Sequence, residues 1–111
     1  MTLTTVTFAM LGDAKLFINF LTLADSSFTM NNSTMMQVLD GIPSSNFTID
    51  AASEVNLNDD ARFFSGNSYL DGMVNLNDKA IMNSYLDTVI NAPTFVAEHA
   101  SISGRNVAVN S

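Results

Sequence analysis

The sequence predicts a mainly β fold, a short parallel β-helix with an irregular N-terminal β segment, from a duplication and an apolar pattern. Val55-Asn56-Leu57-Asn58-Asp59 returns as Val74-Asn75-Leu76-Asn77-Asp78. Asn67-Ser68-Tyr69-Leu70-Asp71 returns, after a shorter interval, as Asn83-Ser84-Tyr85-Leu86-Asp87. The unequal intervals indicate two copies of one unit that differ by a three-residue insertion around Phe64 to Gly66. Repeats this short cannot bury a core alone, so we expect them to stack on their neighbours.

The apolar pattern runs from Phe47 to the end of the chain. An apolar residue is usually preceded two positions earlier by a small or β-branched one, and successive pairs mostly lie six or seven residues apart. The pairs are Phe47/Ile49, Val55/Leu57, Ala61/Phe63, Ser68/Leu70, Val74/Leu76, Ala80/Met82, Thr88/Ile90, Thr94/Val96, Ala100/Ile102 and Val107/Val109. Three such steps make a coil of about 18 residues, and hexapeptide periodicity is typical of parallel β-helices. Each short strand would turn two alternating side chains inward and leave Asn, Asp, Gly and Ser at the corners.

Three stretches resemble a known family. Asp60-Ala61-Arg62-Phe63, Asn67-Ser68-Tyr69-Leu70-Asp71-Gly72 and Ala100-Ser101-Ile102-Ser103-Gly104 are similar to the hexapeptide-repeat proteins, which form left-handed β-helices. The resemblance covers roughly residues 46–110. The chain departs from the family's pattern at Phe64, which adds a residue, and at Phe63, which stands where the family has a smaller aliphatic residue. The resemblance implies stacked coils and, in the transferases of the family, a histidine that acts as general base.

A helix is the alternative for the second copy, giving an α+β fold with a helix at about 78–91. Asp78 would cap its N-terminus, and Pro93 would end it. Its apolar residues lie at helical spacing: Ile81, Met82, Tyr85, Leu86, Val89 and Ile90. In the first copy, Gly66 and Gly72 interrupt the same pattern, which favours the solenoid for both copies because duplicated segments share a structure.

The N-terminal part has strand character without the repeat. Residues 2–10 alternate as a strand, and Leu11 to Ala14 is a turn signal. Residues 15–24 favour a second strand in a hairpin with the first, and a helix that starts at Asp13 as N-cap fits the same residues almost as well. A short apolar element at 35–39 is then stopped by Pro43.

The domain organisation follows from length and from this change in pattern. A chain of 111 residues is expected to form a single domain over 1–111. Ser44 and Ser45 make the expected junction between an N-terminal strand and turn segment at 1–45 and a repeat region at 46–111.

Charge and composition limit the classes of molecule that this protein is expected to bind. The formal net charge is -7, with four Lys and Arg against eleven Asp and Glu. An acidic surface repels phosphates, so nucleic acid is not expected as a partner. The longest apolar stretch, Leu16 to Ala24, is far too short to span a bilayer, and no membrane insertion is expected. The chain has no cysteine, so disulfides and thiolate metal sites are excluded.

Candidate catalytic and metal-binding residues are few. His99 is the only histidine, and its neighbour Glu98 would point to the opposite face of a strand, so we expect an exposed or edge side chain instead of a general base. The cluster most like a metal site would bring hard oxygen ligands together if coils stack: Asn58, Asp59, Asp60, Asn77 and Asp78. Without fixed ligand spacing, these residues are better explained as turn residues that bond their own backbone. We therefore predict no catalytic, cofactor or metal site and no enzymatic activity.

The remaining candidate is an aromatic interaction surface. If the copies stack, Phe63, Phe64, Tyr69 and Tyr85 would lie partly outward on one face, where contiguous aromatic surface marks an interaction site. The predicted function is a structural or adhesive module that self-associates or joins a larger assembly, such as a phage decoration or fibre protein, outside the cell or on a virion. Two alternatives stay open: a small hexapeptide-type acyltransferase with His99 as base, and a module that binds calcium or a glycan.

Overall fold

The computed structural model describes residues 1–38 and 45–110, which form an all-β parallel solenoid of about five turns. Sixteen short strands make up this part of the chain: β1 Thr2–Thr4, β2 Thr7–Met10, β3 Lys15–Ile18, β4 Leu21–Ala24, β5 Ser27–Met30, β6 Met35–Val38, β7 Asn46–Ile49, β8 Glu54–Leu57, β9 Arg62–Ser65, β10 Asn67–Leu70, β11 Met73–Leu76, β12 Ile81–Ser84, β13 Asp87–Ile90, β14 Thr94–Val96, β15 Ser101–Ser103 and β16 Asn106–Val109. The predicted fold class is confirmed.

The strands form three parallel sheets, one on each face of the solenoid. Face A has the order β1-β4-β7-β10-β13-β16, face B has β2-β5-β8-β11-β14, and face C has β3-β6-β9-β12-β15. Each coil therefore visits A, B and C in turn, and each strand pairs with the strands one coil before and after it. Five coils of three strands are followed by β16, which begins a sixth coil on face A.

The first duplicated phrase is a true structural repeat, and the second is not. Val55 pairs with Val74 on face B, where the neighbouring asparagines are bonded across a separation of 19 residues. Phe63 pairs with Met82 on face C at the same separation, so the inferred insertion around Phe64 to Gly66 is wrong. Asn67 to Leu70 lies on face A, whereas Asn83 and Ser84 lie on face C. The number of residues per coil, and not local sequence similarity, determines which residues stack.

The solenoid begins earlier than the change in pattern suggested. Residues 1–38 form the first two coils, and the predicted hairpin is wrong, because β2 pairs in parallel with β5 and β3 with β6. No described residue is helical, so the helices considered from Asp13 and at about 78–91 are also wrong. Pro43 and Ser44 of the expected junction lie outside the described residues. The described chain contains no helix long and apolar enough to cross a membrane.

Aromatic rings occupy the centre of the interior. Phe63 lies 4.5 Å from Phe47 and 6.3 Å from Phe28, centroid to centroid, and Phe28 meets the half-buried Phe8 edge to face at 5.3 Å. Burying a phenylalanine contributes about 1.5–3 kcal/mol. Parallel pairing stacks Phe8 on Phe28, whereas Phe28, Phe47 and Phe63 point inward from three different faces and meet across the interior. The core is thus a column along the solenoid axis.

The corner between faces B and C repeats a left-handed residue in four coils. Gly12, Asn32, Asp59 and Asp78 have φ of 69°, 58°, 57° and 56°. Asn and Asp tolerate this region better than other side chains, and glycine adopts it freely. The Asp59 carboxylate accepts the backbone N–H of Asn32 at 2.9 Å, and the Asp78 carboxylate accepts that of Asp59 at 3.1 Å. These two bonds link the corners of the second, third and fourth coils to one another.

Asparagine ladders run beside these corners. Asn77 donates its side-chain amide to Asn58 at 2.8 Å, and Asn58 donates to Asn31 at 2.9 Å. Face B carries a further rung, from Asn75 to Asn56 at 2.9 Å. An amide both donates and accepts, so identical side chains one strand spacing apart bond to each other without the repulsion that aligned charges create.

The corner between faces A and B leaves no room for a side chain at Gly72. A Cβ atom added at Gly72 would clash with the carbonyl oxygens of Ser53 and Asp50. It would lie closer to these oxygens than Cβ atoms in protein structures lie to backbone oxygens. At Gly12, by contrast, nothing lies within 4 Å of an added Cβ.

We expect Gly72→Ala to lower the free energy of unfolding by about 1–3 kcal/mol, since the clash is with backbone that cannot rotate away. The matched control is Gly12→Asn, which places the residue of the next coil in the same left-handed position and should change stability by no more than about 0.5 kcal/mol. Urea unfolding of both variants gives the comparison. Equal midpoints for Gly72→Ala and the parent chain would contradict this account of the corner.

Asp50 makes the same corner sensitive to acid. The Ser53 hydroxyl, at 2.7 Å, and the backbone N–H groups of Asp25 and Ala52 hold the pKa of the Asp50 carboxyl below its ordinary 3.8. A lowered folded-state pKa means that the carboxylate stabilises the fold fully above pH 3.8 and loses that effect as the pH falls below it. In melting curves, Asp50→Asn should lose less stability than the parent chain over this acidic range. Asp60→Asn removes a carboxylate that makes no hydrogen bond within the described chain. This variant should lose as much stability as the parent chain over the same pH range.

Candidate functional site

The predicted aromatic surface is only partly assembled. Phe63 is fully buried in the core, so it contributes no surface. Tyr69 points outward from face A. Phe64, on face C, and Tyr85, directly after the face C strand β12, line a hollow of about 350 Å³ with Gln37, Ser65 and Asn83. The structure thus brings together two of the four residues, at this hollow.

Face C presents two rows of outward side chains along the solenoid axis. One row is Lys15, Met35, Arg62, Ile81 and Ser101, and the other is Phe17, Gln37, Phe64, Asn83 and Ser103. The pairing places Lys15 and Phe17 in the first coil and Arg62 and Phe64 in the third. A cation and a phenylalanine on one strand therefore recur two coils on, a distance of about 9.6 Å at the usual strand spacing.

Charge is distributed unevenly over the surface. The five strands of face C carry no carboxylate and hold Lys15 and Arg62, two of the chain's four basic side chains. The only acidic residues on the strands of faces A and B are Asp87 and Glu54. The other acidic residues of the described chain lie at corners. Face C is thus locally basic on a protein of net charge -7.

A second hollow adjoins the row that contains Lys15 and Arg62, which we call the basic row. It measures about 450 Å³ and is lined by Lys15, Ser33, Met35, Asp60 and Arg62. Asp60 is its one acidic residue, at the corner with face B. Sequence reasoning missed Lys15, Phe17 and Arg62 because it separated the N-terminal part from the repeats. The signal was present as a cation followed two residues later by phenylalanine, in Lys15-Leu16-Phe17 and Arg62-Phe63-Phe64.

Both ends of the described solenoid are open. On β16, Val107 and Val109 occupy inward positions, paired with Thr88 and Ile90, yet they are 48% and 63% exposed. Val109 and Val96 help to line an apolar hollow of about 330 Å³ at this end. At the other end Val6, Leu11 and Phe20 are exposed. The outermost strands on each face also have one unpaired edge.

The two polar candidates occupy corners. His99 is exposed at the corner between faces B and C of the fifth coil and has no hydrogen-bond partner among the described residues. The cluster of Asn58, Asp59, Asp60, Asn77 and Asp78 is brought together by stacking, as expected. Asp59 and Asp78 accept backbone N–H groups there, and Asn58 and Asn77 bond to each other. Within residues 1–38 and 45–110, no three His, Cys, Asp or Glu side chains are arranged to hold a metal ion.

A group of buried hydroxyls lies inside the solenoid, where the first two coils have apolar side chains. Ser84 donates to Ser68 at 2.9 Å and contacts Ser65 at 3.3 Å, and Thr88 donates to Ser84 at 2.9 Å. Ser65 stands where the preceding coil has Val38. All four hydroxyls are buried and partnered. No carboxylate, histidine or lysine of the described chain bonds to them, so this arrangement satisfies polar groups in the core and has no base to activate a nucleophile.

Comparisons with protein families, curated proteins and solved structures find no match to this chain. The solenoid architecture is consistent with a β-helix repeat, and no family is assigned.

We expect Ser84→Ala to lower the free energy of unfolding by about 1–3 kcal/mol, because it leaves three buried hydroxyls with fewer partners. Ser101→Ala, on the exposed row of face C, is the matched control and should change stability by less than about 0.5 kcal/mol. Thermal unfolding compares the two, and a Ser84→Ala variant as stable as the control would show that the hydroxyl group does not stabilise the core.

Proposed function

We propose that this protein is a non-enzymatic structural or adhesive module that assembles with further copies of itself or onto a larger particle, such as a phage decoration or fibre protein at a virion or cell surface. The observation that carries the proposal is the pair of open ends. Exposed core-type side chains and unpaired parallel edges bind other strands unless something covers them.

A second copy fits these edges by its strand geometry. The N-terminal end offers β1, β2 and β3, and the C-terminal end offers β14, β15 and β16, all strands of three or four residues. Because β16 has already begun a new coil on face A, the next free positions follow the order B, C, A. A copy rotated by one face would place its β1 over β14, β2 over β15 and β3 over β16.

This stacking joins the unlike ends of two copies and keeps every strand parallel. Such a head-to-tail contact leaves a free end on each new copy, so it builds linear stacks instead of closed dimers. The apolar surface of Val107, Val109 and Val96 would be covered by the first coil of the next copy. The same edges would serve for attachment to a larger β-solenoid particle.

The coil geometry also supports the resemblance to the hexapeptide-repeat proteins. Three strands of three or four residues per coil, with offsets of 20 residues between the first two coils and 19 between Asn56 and Asn75, are compatible with that architecture. The aromatic Phe63 in the core still departs from the family's aliphatic pattern. The acyltransferase alternative gains no support, since His99 stands exposed without an orienting partner in the described chain.

We expect sedimentation velocity to show association that grows with protein concentration in the micromolar range. Val109→Lys should weaken it about tenfold, because it places a charge in the covered apolar surface. Met73→Lys adds the same charge at an exposed, outward position on β11, one strand inside the edge strand β14 and outside the covered apolar surface, and should leave association unchanged. A parent chain that stays monomeric, or equal effects from both variants, would remove the basis for the proposal.

A further inference from the structure

The outward surface of face C has the chemistry of a binding groove for a charged sugar chain. Phenylalanine and tyrosine rings present flat apolar surfaces, which stack on the C–H faces of sugar rings. Amide side chains supply the hydrogen bonds that orient a ligand in such a site. Phe64 and Tyr85 line one hollow together with the amides of Gln37 and Asn83, which have no hydrogen-bond partner in the described chain.

The basic row specifies the charge of that ligand. Lys15 and Arg62 point outward from the same face and are exposed, and no carboxylate lies on the strands between them. Interactions between exposed charges are largely screened beyond about 8 Å at physiological salt. Screening therefore weakens the effect of the acidic residues that lie away from face C, whereas Asp13 and Asp60, at the adjoining corner with face B, still oppose an acidic ligand.

The spacing of Lys15 and Arg62 determines which spacing of negative groups along a ligand would fit face C. Lys15 pairs with Met35 and Met35 with Arg62, so the two cations lie two strand spacings apart, about 9.6 Å. The rings of Phe17 and Phe64 keep the same spacing in the adjacent row. One sugar of an extended chain advances by about one strand spacing, so a negative group on every second sugar would meet a cation each time.

We infer that face C binds an extended acidic polysaccharide, with Lys15 and Arg62 on its carboxylate or sulfate groups and Phe17, Phe64 and Tyr85 against its sugar rings. The ligand would lie parallel to the solenoid axis, across the two hollows of face C. Asp60, the acidic residue of the adjoining hollow, opposes this ligand. The inference adds a ligand to the adhesive part of the proposed function, on which it rests, and uses none of the residues tested at the open ends, so the two can fail separately.

The test is calorimetric titration of the full chain with oligosaccharides of known charge. The acidic probes are hyaluronan and chondroitin sulfate oligosaccharides, which carry a uronate on every second sugar, and the neutral probe is a chito-oligosaccharide of equal length. We expect binding of at least one acidic probe that weakens as salt is raised, and weaker binding of the neutral probe.

Matched variants locate the site. Arg62→Gln should weaken binding about fivefold, as expected for one exposed charge pair. Arg105→Gln removes the same charge from the exposed corner between faces C and A after the fifth coil, two coils beyond Arg62, and should have no effect. Asp60→Asn should strengthen binding of the acidic probe and leave the neutral probe unchanged. Phe17→Ala, at a side chain that is 60% exposed, should weaken binding without loss of stability.

Three outcomes would overturn the inference. The first is no binding of any acidic probe, and the second is neutral binding as tight as acidic binding. The third is that Arg62→Gln changes self-association in sedimentation instead of sugar binding, which would make face C a contact between copies.

Discussion

In-register parallel stacking is the constraint on which the rest of the structure depends. Every strand pairs only with its counterparts one coil away, so each residue has a neighbour of fixed position above and below it. A side chain must therefore suit the column in which it lies as well as its own strand. For this one reason phenylalanine rings meet, asparagines form a continuous ladder, and buried hydroxyls bond to each other. The examples are Phe8 with Phe28, Asn31 with Asn58 and Asn77, and Ser65 with Ser84.

The same constraint distributes charge over the surface. Like charges in one outward column would repel at a single strand spacing, so the strands carry few carboxylates. At the corners, a carboxylate can accept the backbone N–H of the adjacent coil, as Asp59 and Asp78 do, and the negative charge then stabilises the stack. The acidic character of the chain thus belongs to its corners, and the uncharged or basic faces are left for contacts with other molecules.

Much of the fold follows from the sequence, whereas the functional surfaces follow only from the stack. The alternation of residue pairs such as Val55/Leu57 and Ala80/Met82 identifies inward positions, and these residues are buried as expected. The similarity of Asn67–Asp71 to Asn83–Asp87 was misleading, because short strands with corners between them reuse few residue types. Alternate residues of a strand face opposite sides of the sheet, so a shift of one residue in the bounds of β9 would exchange the orientations of Phe63 and Phe64. Lys15 and Arg62 lie in one row because β6 pairs with β9, although residues 39–44 separate these strands in the sequence. No local sequence pattern reveals that pairing.

The long step between the second and third coils shows where this architecture tolerates change. The first and second coils are offset by 20 residues and the third and fourth by 19, whereas the second and third are offset by 27. Phe28 and Val55 nevertheless pair in register across that longer step. An extra residue within a face would reverse every following side chain, while extra residues at a corner add only a modest loop-closure entropy. Corners are therefore the places where this architecture can take up added residues, and foreign peptides could be grafted there for display while the strand order is retained.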